Sequence, residues 1–381
     1  MRAIILAGGY GKRLAPLTMR LPKALVSVAG EPILSHLLHL VSDANVSNAV
    51  ISLNKNQKPI EEFFGDGSDF GVSLQYHYEH SESDLDKPGA VGALSDLASE
   101  LGPQESFVIG GDNIVYGLDL NKMLAFHKSN KATATLALYE LSNPRLVELY
   151  GVCKTEPDGR ICAFQEKPST KNALSRLVST AVYVMSESFL RQRLPEYVEE
   201  KKGEADRIGD LWHHFLDSEE LYGFSFSGVW GDANSPESYL ETHQRVMEFQ
   251  GQRVEVDESA FVSPDAKLVS PVAVGPDCRI EAGAVVGPFT TLGSNVSVGK
   301  GGVAAKSILY DDVSLGVKAH VDAAVLDQGV TLEDEARVEK NAVLGEGVRL
   351  EKGARVLMGS RVWPKLNLDA GAVVRGCLSY D

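Results

Sequence analysis

The apolar residues keep two different rhythms, one before and one after about residue 235. In the first stretch AIILA, NAVISL, SLQYHY, SFVIGG, ATATLALYEL and LVSTAVYVMS are short apolar or alternating runs that predict strands. Between them EPILSHLLHLVSDA, ALSDLASEL and LNKMLAFHKSN place apolar residues three and four apart, the spacing of a helix with one buried face. Strand and helix in alternation predict an α/β domain with a doubly wound mixed sheet, whose ligands sit beyond the C-terminal ends of the strands. PESYLETHQRVMEF, from Pro236 to Phe249, predicts one more helix with its proline in the first turn.

After that helix the period becomes six. Val256, Val262, Leu268, Val274, Ile280, Val286, Leu292 and Val298 are eight aliphatic residues in unbroken register. A one-residue slip brings Val303, Leu309, Leu315 and Val321, and a second brings a run from Leu326 to Val374. Neither the period of two of a strand nor the 3.6 of a helix sustains such a register, whereas a triangular coil with one inward aliphatic per short face does. The expectation is a left-handed parallel β-helix of hexapeptide repeats with about six to seven turns. Glycines in VGPD, EAGA and GKGG supply its tight corners. Residues 1–235 then form the α/β domain, 236–252 a connecting helix and linker, and 253–381 the β-helix.

Length agrees with this division, because 381 residues suit roughly two domains. A hydrophobic share of 44% with 23% charged residues is that of a folded soluble protein. No apolar run approaches a membrane span and MRAIILAGGYG is too short a segment for secretion, so a cytoplasmic protein without a membrane partner is expected. Cys153, Cys162, Cys278 and Cys377 lack any CxxC spacing and are read as free, mostly buried thiols. The net charge of −15 argues against a nucleic-acid polymer as partner. Against that acidic background the first thirty residues hold Arg2, Lys12, Arg13, Arg20 and Lys23 and no acid, which suits a small polyanion.

Those cations lie in and around IILAGGYGKRLAPLTMRLPKAL, residues 4 to 25. A glycine turn frees backbone N–H groups and fixed cations neutralise charge, so phosphate is the expected ligand. The spacing excludes two common phosphate loops. Gly11-Lys12 is followed by Arg13 rather than the hydroxyl residue of a P-loop, and Gly9-x-Gly11-x-x ends in Leu14 where a dinucleotide fingerprint needs glycine.

The stretch fills every fixed position of G-x-G-x-R-L-x-P-L-T-x-x-x-P-K: Gly9, Gly11, Arg13, Leu14, Pro16, Leu17, Thr18, Pro22 and Lys23. Here the chain resembles the sugar-1-phosphate nucleotidylyltransferases, many of which carry a C-terminal hexapeptide β-helix, so the resemblance extends over nearly the whole length. It implies a Rossmann-like nucleotidyltransferase fold and Mg²⁺-dependent transfer of a nucleotidyl group from an NTP to a sugar 1-phosphate, with release of pyrophosphate. It implies that Leu6, Ala7, Gly8, Gly9, Gly11 and Gly89 bring backbone to the nucleotide, with Arg13 on the β- and γ-phosphates and Lys23 on the α-phosphate. Asp112, in the strand-end Gly-Asp pair, and Asp232, in VWGDANSPE, become the metal ligands, although Asn234 and Ser235 stand where relatives carry Gly and Thr. FQEKPST matches the family's E-K-P, so Glu166 would accept from sugar hydroxyls and Lys167 would bind the sugar phosphate, with Gly151 and Thr180 beside them. The catalytic set is thus Arg13, Lys23, Asp112 and Lys167, and a homo-oligomer is expected.

Three points stay open on the residues. The β-helix could also transfer an acyl group with His320, its one histidine, as base, or the chain could be a non-catalytic regulatory subunit. His36, His39, His213 and His214 lack metal-site spacing and are read as structural. GDNIVYGLDL resembles glucose-1-phosphate thymidylyltransferases while SRVWPKLNLDAGAVV resembles mannose-1-phosphate guanylyltransferases, so glucose- or mannose-type hexose 1-phosphates with dTTP, UTP or GTP are all candidates. The segment EHSESDLDKPG, residues 79–89, fits neither.

Overall fold

The computed structural model describes residues 1–79, 89–201 and 206–380. Most of the segment 79–89 therefore lies outside the described residues. The chain forms two compact units, one of Met1–Gly9 with Leu34–Trp230 and one of Tyr10–Ile33 with Gly231–Asp381.

A nine-stranded mixed sheet organises the first unit. Its main path runs Ile161–Glu166, Gly151–Thr155, Leu177–Met185, Ser106–Gly110, Arg2–Leu6, Asn48–Leu53 and Ser73–Tyr78, and Ala134–Glu140 pairs with both Leu177–Met185 and Leu221–Phe226. Arg2–Leu6 is parallel to both neighbours, with Ile4 level with Val50 on one side and Val108 on the other. Helices cover such strands on both faces, so they read as continuous apolar runs. Helix Gly89–Leu101 buries Val91, Leu94, Leu97 and Ala98, and helix Ile208–Phe215 buries Leu211, Trp212 and Phe215 in the same core. Cys153 and Cys278 are buried, but Cys162 and Cys377 are exposed, so only half of the thiols are shielded.

Three parallel sheets of eight, seven and seven two- or three-residue strands build the β-helix of the second unit. Its axis is filled by the expected aliphatic column, with Ile280, Val286, Val298, Val321, Leu344 and Val356 wholly buried. One position needs correction. The inward residue between Val286 and Val321 is Ala304, while Val303 is only half-buried. The shortened face therefore lies between Ala304 and Leu309, because a small residue satisfied the inward station where the pattern favoured the larger aliphatic beside it.

Outside the coil a ladder ties successive turns together. Glu333 accepts from Arg349 and from the Lys352 N–H, Glu339 from Arg355 and the Met358 N–H, and Glu351 from Asn367 and the Ala370 N–H. Water screens these exposed pairs, so the aliphatic column carries the stability.

The rest of this unit is the segment Tyr10–Ile33 and the helix Pro236–Gln250. Three short 3-10 turns, Lys12–Leu14, Leu17–Met19 and Lys23–Leu25, precede a small hairpin of Ser27–Val28 with Glu31–Pro32. Ser235 caps the helix by accepting from the Ser238 N–H, with Pro236 in the first turn. Among the described residues no helix is long and apolar enough to cross a membrane.

Candidate active site

In the α/β unit, two adjacent parallel strands deliver their ends side by side. Arg2–Leu6 runs into Ala7, Gly8 and Gly9, and Ser106–Gly110 into Gly111 and Asp112. The Gly111 N–H donates to the Leu6 carbonyl at 2.9 Å, and a Cβ at Gly111 would lie 2.7 Å from that of Ala7. Glycine is what lets the two ends touch.

The glycine turn is fixed from below by residues that the sequence patterns did not single out. Gln57 donates to the carbonyls of Ala7 at 2.8 Å and Gly9 at 3.0 Å, and Asn54 donates to that of Gly8 at 2.8 Å. Buried Glu79 accepts from Ser52 Oγ at 3.0 Å and occupies the place a side chain at Gly8 would take. A signal for Asn54 and Gln57 was present, since the pair forms a capping box just past strand Asn48–Leu53. Asp112 is half-buried, with Oδ1 accepting from Asn113 Nδ2 at 3.2 Å, and Asn113 is held in turn by Trp230 Nε1 at 2.9 Å.

In the second unit the segment after Gly9 carries the cations. Gly11 sits at φ 65°, where a Cβ would come 3.0 Å from Thr18 and 3.2 Å from Lys23. Thr18 Oγ1 closes the turn by donating to the Gly11 carbonyl at 2.9 Å. Arg13 and Lys23 then converge on one atom: Asn234 Oδ1 accepts from Arg13 Nη2 at 3.0 Å and Lys23 Nζ at 2.7 Å. The other end of the same amide donates to Asp232 Oδ2 at 2.6 Å, and the Asn234 N–H donates to Asp232 Oδ1 at 3.1 Å. A neutral side chain thus bridges two cations and a buried carboxylate, its oxygen toward the cations and its nitrogen toward the anion.

Glu166 and Lys167 stand in the α/β unit at the end of strand Ile161–Glu166, with Gly151 directly opposite Glu166. A Cβ at Gly151 would lie 3.2 Å from Glu166 Oε2, and one at Gly209 would strike the carboxylate outright. Gly209 belongs to this site and was missed, because an isolated glycine opening a helix gives no pattern. Burial, with Asp210 adding to it, raises the Glu166 pKa against the opposing charges of Lys167 and Arg207. Lys167 adopts φ 47° and holds Nζ 3.7 Å from Glu166 Oε1. Thr180 is fully buried, and its hydroxyl is committed to the Ala137 carbonyl at 3.0 Å in the neighbouring strand. Gly89 opens helix Gly89–Leu101 at φ 67°, tight against Asp206, whose carbonyl accepts from the Ala90 N–H at 3.0 Å.

Asp112 and Asp232 are hard oxygen donors of the kind Mg²⁺ takes. Among the described residues no group of three or more His, Cys, Asp or Glu side chains could hold a metal. Mg²⁺ is usually held by one or two carboxylates together with substrate phosphates and water.

Comparison with known proteins agrees with this chemistry. Residues 2–248 match the family model described as nucleotidyl transferase, and residues 268–374 match that of the GMPPB C-terminal domain. The chain belongs to the nucleotidyl transferase family. Within it the chain is a sugar-1-phosphate nucleotidyltransferase whose C-terminal domain is a β-helix. It is 30% identical over 283 residues to a mannose-1-phosphate guanylyltransferase of Mycobacterium tuberculosis, covering 72% of this chain and 74% of that one. It is 27% identical over 340 residues to a UTP–glucose-1-phosphate uridylyltransferase of Synechocystis, covering 84% and 86%. A solved structure of a putative glucose-1-phosphate thymidylyltransferase from Bacillus anthracis, in complex with a sucrose, superposes with a TM-score of 0.55 at 26% identity, covering 64% of this chain and 94% of that one.

Proposed function

We propose that the chain transfers a nucleotidyl group from an NTP to a glucose- or mannose-type hexose 1-phosphate. A phosphate oxygen of the sugar 1-phosphate attacks the α-phosphorus, the bond to the bridging oxygen breaks, and pyrophosphate leaves. The observation that carries this reading is the convergence of Arg13 and Lys23 on Asn234 Oδ1 with Asp232 beside it, a cluster built from residues 211 and 221 positions apart. Phosphate oxygens carry full charge and bind both cations more strongly than an amide oxygen does.

On this reading Arg13 grips the leaving β- and γ-phosphates and Lys23 relieves charge at the α-phosphate. Gly8, Gly9 and Gly11 bring backbone close to the nucleotide, and Gly89 starts the helix that would border the base. Glu166 accepts from sugar hydroxyls and Lys167 neutralises the sugar phosphate, with Gly151 leaving room beside the carboxylate. Thr180 would act through the backbone it holds rather than through its hydroxyl. Asp112 and Asp232 would hold Mg²⁺, which when bound neutralises phosphate charge and orients the leaving group.

Support for a hexose 1-phosphate comes from the names of the relatives, a mannose-1-phosphate guanylyltransferase and a glucose-1-phosphate uridylyltransferase. Pyrophosphate release with Mg²⁺, measured for five NTPs against several sugar 1-phosphates, tests the reading. One productive pair lost in Asp112→Ala is expected, and silence across the matrix in folded protein would sink it.

A further inference from the structure

The segment that bears Arg13 and Lys23 is tethered to the β-helix at three points. Arg361 Nη1 donates to the Ala15 carbonyl at 3.1 Å. Arg20 Nε donates to Asp327 Oδ1 at 2.9 Å, and Arg20 Nη2 donates to the same oxygen. The Tyr310 hydroxyl accepts from the Ser27 N–H at 3.0 Å and lies 3.1 Å from that of Tyr239, which donates to the Ser27 carbonyl. Ala15 follows Arg13 by two residues, and Arg20 and Ser27 flank Lys23, so the anchors bracket both cations.

The coil shows that these side chains are not there for its own sake. Asp257, Gly275, Gly293, Tyr310, Asp327 and Gly345 occupy one station on successive turns, each donating its N–H to the carbonyl of the inward aliphatic of the next: Val274, Leu292, Leu309, Leu326, Leu344 and Val362. Interior turns that hold nothing outside the coil take glycine there. A Cβ at Gly275 would come 2.6 Å from the Gly293 carbonyl oxygen, and one at Gly345 would come 2.9 Å from Pro364 N. In the interior of the coil, side chains stand at this station only on the two turns that hold Arg20 and Ser27; at the ends Asp257 opens the series and Trp363 closes it, the latter on the turn that carries Arg361. Asp327 has no exposure, and a carboxylate buried so completely is costly unless its partner is well placed. Arg20 also lies over the Tyr310 ring, 5.6 Å from its centroid, which joins two of the three anchors.

We infer that Asp327, Tyr310 and Arg361 are positioning residues for the triphosphate grip, acting through Arg20, Ser27 and Ala15. This rests on the preceding reading of Arg13 and Lys23 as phosphate ligands. Short 3-10 turns have poor hydrogen-bond geometry and little stability of their own, so a loop made of them takes its shape from what it is tied to. The β-helix therefore helps to shape the segment that carries Arg13 and Lys23.

Asp327→Gly gives the coil the residue it takes elsewhere, and Arg20→Met removes the same contact from outside the coil. In full-length protein, amide exchange over residues 11–26 should accelerate at least tenfold in both variants while Val338 and Val356 keep their protection. The KM for the productive NTP should rise about tenfold with kcat and the sugar 1-phosphate KM within threefold of wild type. The double variant should be no worse than either single one. Exchange that is unchanged in the loop, or faster along the whole coil, would overturn the inference, as would a loosened loop with an unmoved NTP KM. Wild-type protein that turns over no NTP would be the separate failure of the preceding reading, and the exchange comparison would still decide the tether.

Discussion

Lys23 Nζ stands 2.7 Å from Asn234 Oδ1, although 211 residues separate the two in the chain. The amide oxygen also holds Arg13, and the amide nitrogen holds Asp232. A hydrogen bond from a cation to a neutral amide is the weaker kind, so an incoming phosphate can displace it.

Replacing that amide by a carboxylate should therefore trap the cations. In Asn234→Asp a carboxylate replaces the amide oxygen that Arg13 and Lys23 both reach, and it is set against Asp232. The KM for NTP should rise about tenfold, equivalent to about 1.4 kcal/mol, and high salt should recover part of the loss. Asn234→Gly, which installs the residue common in relatives, should leave KM within about threefold. Steady-state kinetics of both variants check the point, and equal behaviour of Asp and Gly would show that charge at position 234 does not matter.

On the sugar side Gly209 leaves the space that Glu166 occupies. In Gly209→Ala the new methyl must displace the carboxylate, because the collision is with Glu166 itself. The sugar 1-phosphate KM is expected to rise about tenfold or more, with the NTP KM unaltered, by the loss of about 1.4 kcal/mol or more in hydroxyl recognition. An equal rise in both constants would mean that the substitution disturbs the sheet rather than Glu166.

Gly209 also marks where sequence patterns stop informing. Periodicity carried the strands, the helices and the coil, because burial repeats with a fixed spacing in each. It failed at Ala304, where a small inward residue was passed over for Val303. Gly9, Gly11, Arg13 and Lys23 were legible because they fall in one contiguous motif. Asn54 and Gln57 could be read only as a capping box and Glu79 not at all, since what they hold depends on which carbonyls and side chains the fold brings beside them. Asn234 was visible only as a departure from a pattern, and its partners came from the other end of the chain.

The hairpin between Lys23 and the first helix makes a stability test available. Ala29 and Gly30 both take positive φ, 50° and 95°, and join strands paired Val28 to Glu31, the arrangement of a type I′ turn. An alanine in that conformation costs about 1 kcal/mol, and asparagine is the preferred residue before glycine in such turns. Ala29→Asn should accordingly raise stability by up to about 1 kcal/mol in urea unfolding. A destabilised variant would mean that the turn is held by its surroundings in a shape asparagine does not suit.

The same turn is coupled to pH through His243. Its Nδ1 accepts from the Ala29 N–H at 3.1 Å, and complete burial drives its pKa down to about 3. The folded protein therefore keeps this ring neutral at a pH where the unfolded chain, with an ordinary histidine pKa near 6.5, already binds a proton. Protons favour the unfolded state between those two values, so stability is fully present above about pH 6.5 and is lost as pH falls toward 3. The slope from this one residue is at most about 1.4 kcal/mol per pH unit, or about 2 kcal/mol between pH 6.5 and 5. His243→Asn keeps an acceptor near the Nδ1 position and cannot titrate, so it removes this contribution while other groups remain. Urea midpoints of the two proteins, measured at pH 7, 6 and 5, should converge as pH falls, with wild type losing stability faster. Parallel curves would show that the ring is protonated in the fold, and the hydrogen bond to Ala29 would then need the opposite polarity, which a backbone N–H cannot supply.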